Sequence, residues 1–517
     1  MRKGLLATVV GLAAALVAAP AVSAIDKINS KPLRNGVTVD GIMEHENAFQ
    51  QIATMNGGNR AATFPGYDES VQYVSDRLSA AGYDVSLDPF DFAKWEKNGP
   101  STLERTSPDA KVWVEDTDYI VSQFSAGGDV TGPVFVAGNT VVPPPDGAGT
   151  SVSGCDPADF DGMPAGAIAL MQRGTCPFVQ KYDNAHNAGA GAALIFNDGF
   201  TGREGPLFIT SPQDMTIPAI MTSNDLGEEL VSQARGGLNP QVHVVVDATT
   251  TPLTQYNVIA DSPQGNPERT IVIGAHLDSV EEGPGINDNG SGSSTLIEIA
   301  EQIASHDLTP KNRLRFAFWG AEEAGLVGST AYAEEQVANG GIADIEANLN
   351  FDMVGSTNFV RFVYDGDLSD SAPPPGGAPD GSGQIEGVFA RYFDDEGLAH
   401  APTAFDGRSD YGPFIANGVP AGGLFTGAEG IKTEEQAATY GGTAGAQYDP
   451  CYHQECDTID NLSSTALDQM SDAAAHVAWT LARSRSDVTD AQGATANRSS
   501  KVGRTKSLKY QGPFRVR

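Results

Sequence analysis

The feature that most constrains the fold is a series of four apolar segments of strand length between residues 256 and 355. They read YNVIAD, TIVIGAHLDS, LRFAFWGAEE and ANLNFDMVG, and helix-like segments lie between them. Each apolar run ends in polar residues. This alternation predicts an α/β domain with a mixed, mainly parallel sheet flanked by helices.

The rest of the chain divides into regions of different character. At 67–81 apolar residues recur at helical spacing and lead into an alternating strand, which indicates an N-terminal part of the same domain at 25–117. From 118 to 247, short β-like runs alternate with Gly/Pro turns, which predicts a separate β-rich insertion. The main part of the α/β domain is then 248–484, and a basic, disordered tail follows at 485–517, where apolar periodicity ends.

The first 24 residues, 1–24, have the pattern of a signal peptide. Arg2 and Lys3 precede an apolar run from Gly4 to Ala19, and small residues precede Ile25. An uncleaved membrane anchor is disfavoured because the run is shorter than the roughly 20 residues that span a bilayer. A formal net charge of -34 disfavours nucleic-acid and anionic-membrane partners, which both need a basic surface. We expect a secreted, extracellular monomer.

Four cysteines in an exported chain predict two disulfides. Three pairings are possible, and the spacings favour Cys155 with Cys176 and Cys451 with Cys456. Thiolate ligation of zinc is the alternative, but no close CxxC pair is present. The second bond would close a short loop around His453 and present that side chain rigidly.

Polar side chains follow three of the apolar runs: His276, the pair Glu322 and Glu323, and Asp352. Ligands of open α/β sheets bind where strands end, so we expect these side chains to converge on one crevice. Taken singly, a histidine is more often structural, and paired glutamates more often form a solvated face. Their joint placement is what favours a metal site.

Two further acidic residues lie near these strand ends. Asp288 belongs to the glycine-rich turn GINDNGSG before a helix-like segment, and a carboxylate at this helix entrance could bridge two cations. Asp278 follows His276 by two residues and could orient or tune that imidazole from behind. Two imidazoles with carboxylates and no thiolate suit zinc, with cobalt or manganese as substitutes.

Five motifs occur in the same order as in peptidase family M28, and the chain resembles the secreted bacterial leucine-type aminopeptidases of that family. The motifs are AHLDS, GINDNGSG, WGAEE, NFDM and CYHQECD, within matching stretches at 40–116 and 250–482. The resemblance implies a zinc-peptidase (phosphorylase/hydrolase-like) fold. It also implies two zinc ions, one held by His276 and Asp352 and the other by Glu323 and His453, with Asp288 bridging and Asp278 supporting His276.

The insertion resembles a protease-associated (PA) domain, most clearly in the stretch DGMPAGAIALMQRGTCPF. Such domains occur inside several larger aminopeptidases of the family. Nothing in the sequence of the insertion offers a catalytic set of residues. The resemblance therefore implies that the insertion shapes access to the cleft or binds longer substrates.

The remaining candidate residues concern catalysis and substrate binding. Glu322 neighbours Glu323 but is not needed as a ligand, so it can accept a proton from water and deliver it to the leaving amine, as the family implies. Tyr452 could donate its phenol to the oxyanion, or pack under the disulfide. Glu322 and Asp352 could bind the substrate's α-amine, and by resemblance Arg408 lines the same cleft, unless it forms a surface salt bridge. The implied activity is hydrolysis of N-terminal peptide bonds, with a family preference for large apolar residues such as leucine.

Three other functions belong to this or a related fold. A carboxypeptidase would need an arginine cluster, whereas only Arg408 occurs around GINDNGSG and GRSDY. A catalytically inactive binding protein would have lost ligands, and a single-zinc cyclotransferase would differ in metal stoichiometry. Relatives can also bind calcium through positions like Asp468 and Asp472, but Gly36 stands near where a further aspartate is expected, which disfavours a calcium site.

Overall fold

The computed structural model describes residues 28–144, 147, 149–200, 203–206, 215–374 and 376–491 of the 517-residue chain. The predicted signal peptide at 1–24 and most of the predicted tail lie outside the described residues. Among the helices of the described ranges, none combines the length and apolar character needed to cross a membrane.

The strands belong to two separate sheets. In chain order they are β1 Asp84–Lys97, β2 Thr102–Ser107, β3 Lys111–Val112, β4 Tyr119–Val121, β5 Gly128–Val136, β6 Ile168–Gln172, β7 Ala192–Phe196, β8 Ala219–Thr222, β9 Gln241–Val246, β10 Ala248–Asp261, β11 Asn266–His276, β12 Asn312–Trp319, β13 Ile345–Phe351, β14 Phe362–Tyr364, β15 Ala401–Thr403 and β16 Ala421–Phe425.

The α-helices precede, separate and follow these strands. They are α1 Lys31–Arg34, α2 Val39–Met55, α3 Pro65–Ala80, α4 Phe178–Asn187, α5 Asn224–Arg235, α6 Gly292–Ser305, α7 Val327–Asn339, α8 Ser382–Asp395, α9 Gly412–Ala416, α10 Glu434–Tyr440 and α11 Ser464–Arg483.

The first sheet has the spatial order β1-β10-β12-β11-β13-β16-β14-β15. Its centre is parallel, because β11 pairs in parallel with β12 and β13, and β13 pairs in parallel with β16. The pairs β1 with β10, β10 with β12 and β14 with β16 are antiparallel. The predicted mixed, mainly parallel sheet is therefore confirmed.

The central strands are buried on both faces. Ile271, Ile273 and Ala275 of β11 belong to the apolar core shared with α2, α3, α6, α8 and α11, whereas Val272 belongs to the core shared with α7 and α9. Successive side chains of a strand point to opposite faces, so a sheet covered twice needs continuous apolar runs. This explains the runs in the sequence, and it leaves the carboxyl ends of β11, β12 and β13 together at one edge.

The second sheet has the order β3-β2-β9-β5-β6-β7-β8-β4 and forms the insertion. The strands β5 to β8 are parallel neighbours. Leu230 of α5 packs in the apolar cluster on one side of this sheet, and Tyr182 of α4 packs in a second cluster. The predicted bond between Cys155 and Cys176 is present within the insertion.

The two sheets are connected by a two-stranded ribbon. β1 and β10 pair along their whole length, from Asp84 opposite Asp261 to Lys97 opposite Ala248. The strands β2 and β3 follow the ribbon at once, and β2 pairs with the distant β9 of the second sheet. The insertion therefore begins where the ribbon ends, not at residue 118. Sequence pattern placed this boundary too late because pairing between distant segments leaves no local signal.

The packed part of the chain also continues past residue 484, where the tail was predicted to begin. Val488 is buried in the main core, and its backbone N–H donates a hydrogen bond to Glu346 (2.7 Å). Arg269 donates to the carbonyl oxygens of Arg485 (2.8 Å) and Ser486 (3.0 Å). A predicted tail from 485 is therefore too early, because one buried apolar residue creates no periodicity to detect.

Candidate metal centre and active site

Three parallel strands bring the predicted ligands to one edge of the first sheet. His276 is the last residue of β11, Asp352 directly follows β13, and Glu322 and Glu323 lie in the turn after β12. His276 is 0%, Glu322 1% and Asp352 9% exposed. These side chains therefore lie together at one edge of the sheet, where the sequence analysis expected them to converge.

Asp288 lies between the two histidines of the centre. Its Oδ1 atom is 3.1 Å from His276 Nε2, and its Oδ2 atom is 3.1 Å from His453 Nε2. Asp352 Oδ1 lies 3.4 Å from His276 Nε2, and Glu323 Oε2 lies 3.2 Å from His453 Nε2. The five side chains thus form two groups that share Asp288.

The polar atoms at this centre fit a bound cation. His276 Nε2 and both carboxylate oxygens of Asp288 are buried without a hydrogen bond from the described residues, an arrangement that is costly unless another ligand satisfies them. Burial alone would raise the pKa of Asp288, but the imidazoles lower it well below its usual range. Burial would lower the pKa of His276, yet Glu322 and Asp352 raise it well above. Imidazoles and carboxylates at these distances are donors that zinc accepts.

Glu322 faces the same centre from the turn that carries Glu323. Its Oε2 atom lies 3.9 Å from His276 Nε2. With His276 and Asp352 it forms a set whose ligand atoms all lie within 4.8 Å of one another. This position suits both proton transfer and metal ligation.

Asp278 contacts the centre through both its carboxylate and its backbone carbonyl. Its Oδ1 and Oδ2 atoms accept hydrogen bonds from the backbone N–H groups of Glu322 (3.1 Å) and Glu323 (3.2 Å). His276 Nδ1 lies 3.1 Å from the backbone carbonyl oxygen of Asp278 and 3.7 Å from its carboxylate. A carbonyl oxygen can only accept, so Nδ1 carries a proton, and Nε2 is the ring nitrogen that would bind a cation.

His453 lies in a short loop closed by the predicted Cys451–Cys456 bond, which is present. Its φ of 57° is in the left-handed region that few residues other than glycine adopt. The rings of Tyr452 and His453 stack with centroids 3.8 Å apart. The loop therefore fixes an unusual backbone conformation at the residue that approaches Asp288.

Two cavities flank the centre. The first, which we call the Arg408 cavity, has a volume of about 170 Å³. Asp288, Asp352 and Tyr452 line it next to the centre, and the exposed residue Arg408 also lines it. Its apolar lining is contributed by Met353, Tyr364, Phe425 and Ala428. Arg408 and Tyr452 thus line the same cavity as Asp288 and Asp352.

The second, which we call the Trp95 cavity, has a volume of about 190 Å³, and Glu323 and His453 line it next to the centre. The ribbon contributes Phe92 and Trp95 to its wall, and the insertion contributes Phe124. No sequence motif pointed to this cavity, because its walls come from segments that are distant in the chain. The full lining is Ala61, Ala62, Thr63, Phe92, Ala93, Trp95, Gln123, Phe124, Asp278, Ser279, Val280, Glu281, Glu282, Glu323, Ala324 and His453.

Two residues without a predicted role hold the proposed ligands by hydrogen bonds. Asp457 is 1% exposed, and its two oxygens accept the backbone N–H groups of Asn287 (2.9 Å) and Asp288 (3.0 Å). Ser409 donates its hydroxyl to Asp352 Oδ2 (2.6 Å). Both residues belong to motifs already noted, CYHQECD and GRSDY, and these motifs were the signal that could have found them.

Arg60, the last residue of the segment NGGNR at 56–60, also had no predicted role. Its fully buried guanidinium donates to the carbonyl oxygens of Leu277, Pro284 (3.0 Å) and Gly285 (2.7 Å). These carbonyls flank the segment between His276 and the glycine-rich turn. Arg60 therefore ties that segment together from behind the centre.

The positions considered for calcium have other neighbours. Asp472 Oδ2 lies 3.4 Å from Arg34 Nη1, and the same guanidinium reaches Glu396 (3.1 Å). Neither Asp468 nor Asp472 belongs to a group of described acidic or histidine residues that could hold a cation. An arginine thus provides the positive charge beside Asp472.

Comparison with curated proteins identifies similar chains along almost the full length. An aminopeptidase of Pseudomonas aeruginosa is 45% identical over 467 residues, which cover 90% of this chain and 84% of that protein. The "probable lipoprotein aminopeptidase LpqL" of Mycobacterium tuberculosis is 40% identical, covering 84% and 83%. The "probable leucine aminopeptidase 2" of Aspergillus oryzae is 38% identical, covering 83% and 81%.

Solved structures agree on the fold. An aminopeptidase from Aneurinibacillus superposes with a TM-score of 0.68 at 25% identity, covering 88% of this chain and 96% of that one. A zinc aminopeptidase from Bacillus subtilis gives a TM-score of 0.58 at 22% identity, covering 88% and 98%, and supports the fold alone. The family model for peptidase family M28 matches residues 257–478, and the PA domain model matches residues 130–230. The chain belongs to peptidase family M28 and carries an inserted PA domain.

Proposed function

We propose that this protein is a zinc aminopeptidase that hydrolyses the N-terminal peptide bond of peptides and proteins. The observation that carries the proposal is the buried centre in which Asp288 lies 3.1 Å from each of two imidazoles. The names of the curated relatives, all aminopeptidases, support the activity. The donor set of imidazoles and carboxylates without a thiolate supports zinc as the metal.

We assign two zinc ions to the centre. His276 and Asp352 would hold one, His453 and Glu323 would hold the other, and Asp288 would bridge them. When bound, zinc supplies positive charge that activates a water molecule and polarises the scissile carbonyl. Asp278, Asp457 and Ser409 fix these side chains or their backbone, because each makes a hydrogen bond of 3.2 Å or less to a ligand residue.

Proton transfer falls to Glu322, which is 1% exposed and lies beside the centre. In this role its carboxylate accepts a proton from water and delivers it to the departing amine. A positioned carboxylate of this kind contributes about 10²–10⁴-fold to the rate. Tyr452 lines the Arg408 cavity and is the residue proposed to donate its phenol to the developing oxyanion.

Substrate binding is proposed for the Arg408 cavity. Asp352 lines this cavity, so with Glu322 it can attract the positively charged α-amine of the substrate. Met353, Tyr364, Phe425 and Ala428 offer apolar surface to the first side chain. This lining favours a large apolar residue such as leucine.

The location of the protein is also part of the proposal. Both disulfides are closed and no free cysteine remains among the four in the chain. Such bonds persist in oxidising compartments. Together with the predicted signal peptide, they support a secreted, extracellular enzyme, which we propose acts as a monomer.

The decisive experiment compares Glu322→Gln with Glu323→Gln on leucine p-nitroanilide and measures zinc content. We expect Glu322→Gln to keep two zinc ions while kcat falls by about 10²–10⁴-fold. Glu323→Gln should lose zinc, because it removes a charged ligand. The exposed variant Glu268→Gln is the matched control.

Three results would contradict the proposal. Full activity of Glu322→Ala would exclude the proton-transfer role, and activity only on N-acetylated peptides would exclude an aminopeptidase. Peptide binding without turnover in the zinc-loaded protein would favour an inactive binding protein. A strong chelator should abolish the activity of the unmodified enzyme, and added zinc should restore it.

A further inference from the structure

The Trp95 cavity lies on the other side of the metal centre from the Arg408 cavity. Of the two carboxylates proposed to attract the substrate's α-amine, Asp352 lines the Arg408 cavity, and neither Glu322 nor Asp352 lines the Trp95 cavity. A substrate whose first residue enters the Arg408 cavity must extend past the scissile bond toward the opposite side. The Trp95 cavity is therefore placed to receive the second residue.

The aromatic wall of this cavity is held by contacts between the ribbon and the insertion. Trp95 Nε1 donates a hydrogen bond to the carbonyl oxygen of Ser125 (2.9 Å), and Ser125 Oγ accepts one from the backbone N–H of Ala219 (2.9 Å). Phe92 and Phe124 pack edge to face with centroids 6.0 Å apart. Phe124 also packs with Ala321, next to Glu322. The wall is thus a built part of the molecule.

The described side chains that line the Trp95 cavity include acidic residues and no lysine or arginine. Four of its described lining residues are acidic, namely Asp278, Glu281, Glu282 and Glu323, and none of the described lining residues is lysine or arginine. Glu323 is a proposed zinc ligand, and Asp278 supports the glutamate turn, which is the turn that carries Glu322 and Glu323. The other two, Glu281 and Glu282, are exposed at the mouth.

The position of the two glutamates is set by the backbone. Asn59 donates its side-chain amide to the carbonyl oxygen of Glu281 (3.0 Å). Lys94 is the cation near Glu281, but its ammonium group is paired with Glu96 (2.7 Å). Lys94 is thus shared between Glu281 and Glu96, and the Glu281 carboxylate lies at a cavity with an aromatic wall.

We propose that the Trp95 cavity binds the side chain of the second substrate residue and prefers a basic side chain to an acidic one. Lysine and arginine fit this lining because their apolar stems can lie along Trp95 while their cationic ends reach Glu281 and Glu282. An acidic side chain would be repelled. The cavity volume of about 190 Å³ is space enough for one such side chain. This inference rests on the proposed aminopeptidase activity.

The test measures initial leucine release from Leu-amide, Leu-Lys-amide, Leu-Met-amide and Leu-Glu-amide at low salt. The enzyme should process Leu-Lys-amide with a kcat/KM about tenfold above that for Leu-Glu-amide, as expected for exposed charge pairs. The double variant Glu281→Gln/Glu282→Gln should lose most of this ratio. High salt should reduce the ratio in the unmodified enzyme, because it screens exposed charges.

The control is the double variant Glu334→Gln/Glu335→Gln, an adjacent exposed pair on α7 that carries the same charge. It should keep the ratio, and all variants should cleave Leu-amide, which has no second residue, at the unmodified rate. If Leu-amide is cleaved but the lysine and glutamate substrates are equal, the inference is wrong and the aminopeptidase activity stands. If the unmodified enzyme does not cleave Leu-amide, the proposed function itself fails.

Discussion

At the scale of single residues, Asp278 is the clearest case of a side chain acting through the backbone. Its two oxygens accept the N–H groups of Glu322 (3.1 Å) and Glu323 (3.2 Å), so it fixes a proposed base and a proposed ligand together. An ionised carboxylate can accept at both oxygens, whereas an amide offers one acceptor and two donors. The geometry of the glutamate turn should therefore depend on the charge state and shape of this residue.

We predict that Asp278→Asn lowers zinc affinity or kcat/KM on Leu-amide by about 10–100-fold. One backbone N–H would lose its acceptor and face a donor instead, which should displace Glu322 or Glu323. The measurement is zinc titration against a competing chelator, with circular dichroism to check folding. The exposed Asp344→Asn is the control. Unchanged affinity and rate in a folded Asp278→Asn variant would show that the turn is held without this carboxylate.

His45 offers a residue-scale prediction about stability. It is 1% exposed, its Nδ1 lies 2.8 Å from the Tyr73 hydroxyl, and Glu301 lies 3.9 Å from its Nε2. The pKa of His45 is lowered to about 4, because the effects of burial and of Arg77 together outweigh Glu301 and Glu44, which raise it. The folded protein therefore keeps this imidazole neutral at pH values where the unfolded chain protonates it.

Because the folded pKa is below the unfolded one, the free energy of unfolding should fall as pH drops from about 6.5 to about 4. The contribution of His45 to this fall is about 3 kcal/mol, to order of magnitude. Urea unfolding of the unmodified protein and of His45→Gln at pH 7.5 and pH 4.5 measures it. The variant should lose less stability between the two pH values, and equal losses would rule out His45 as a source.

At the scale of elements, the two disulfides serve different segments. Cys155–Cys176 spans 21 residues within the insertion, and Cys451–Cys456 spans five residues around His453. Cross-linking stabilises chiefly by restricting the unfolded chain, more for longer loops. The first bond should thus affect stability, whereas the second also holds a proposed metal ligand in place.

We predict that Cys155→Ser/Cys176→Ser lowers the free energy of unfolding by about 3 kcal/mol and leaves kcat/KM on Leu-amide unchanged. Cys451→Ser/Cys456→Ser should cost about 2 kcal/mol, and it should also lower zinc affinity because His453 loses its fixed backbone. Urea unfolding, zinc titration and initial rates distinguish the two. Equal zinc affinity in both double variants would contradict the assigned role of the second bond.

At the scale of the whole molecule, the insertion is more than an appendage on the ribbon. Phe124 of the insertion is 1% exposed and packs with Phe92 of the ribbon and Ala321 of the first domain. Burial of a phenylalanine at such a junction is worth several kcal/mol. The two sheets should therefore contribute to a shared stability, although each has its own apolar core.

We predict that replacing residues 98–247 by an Asn-Gly turn yields a folded, zinc-binding protein that still cleaves Leu-amide. The ends to be joined, Lys97 and Ala248, are already antiparallel partners, so a two-residue turn can connect them. Stability should fall by about 3 kcal/mol because Phe124 no longer covers Phe92 and Ala321. Phe124→Ala in the full chain is the matched control. A deletion variant as stable as the full chain would show that this packing is dispensable.

The sequence alone determined the fold class and the composition of the candidate centre. Continuous apolar runs indicate strands that are buried on both faces. Residues that follow parallel strands lie at the same edge of the sheet, so the sequence predicted that His276, Glu322, Glu323 and Asp352 lie close together. The spacing of the cysteines also indicated both disulfides. These features are local, because burial and chain direction leave their pattern within a single segment.

Only the tertiary structure decided what depends on pairing between distant segments. It assigned β2 and β3 to the insertion, showed that the Asp278 carboxylate accepts the N–H groups of Glu322 and Glu323 while its carbonyl oxygen faces His276, and packed Val488 into the main core. It also formed the Trp95 cavity from the ribbon, the insertion and the first domain. The physical reason is that hydrogen bonds and contacts between segments far apart in the chain follow from their three-dimensional arrangement, which no single stretch of sequence encodes.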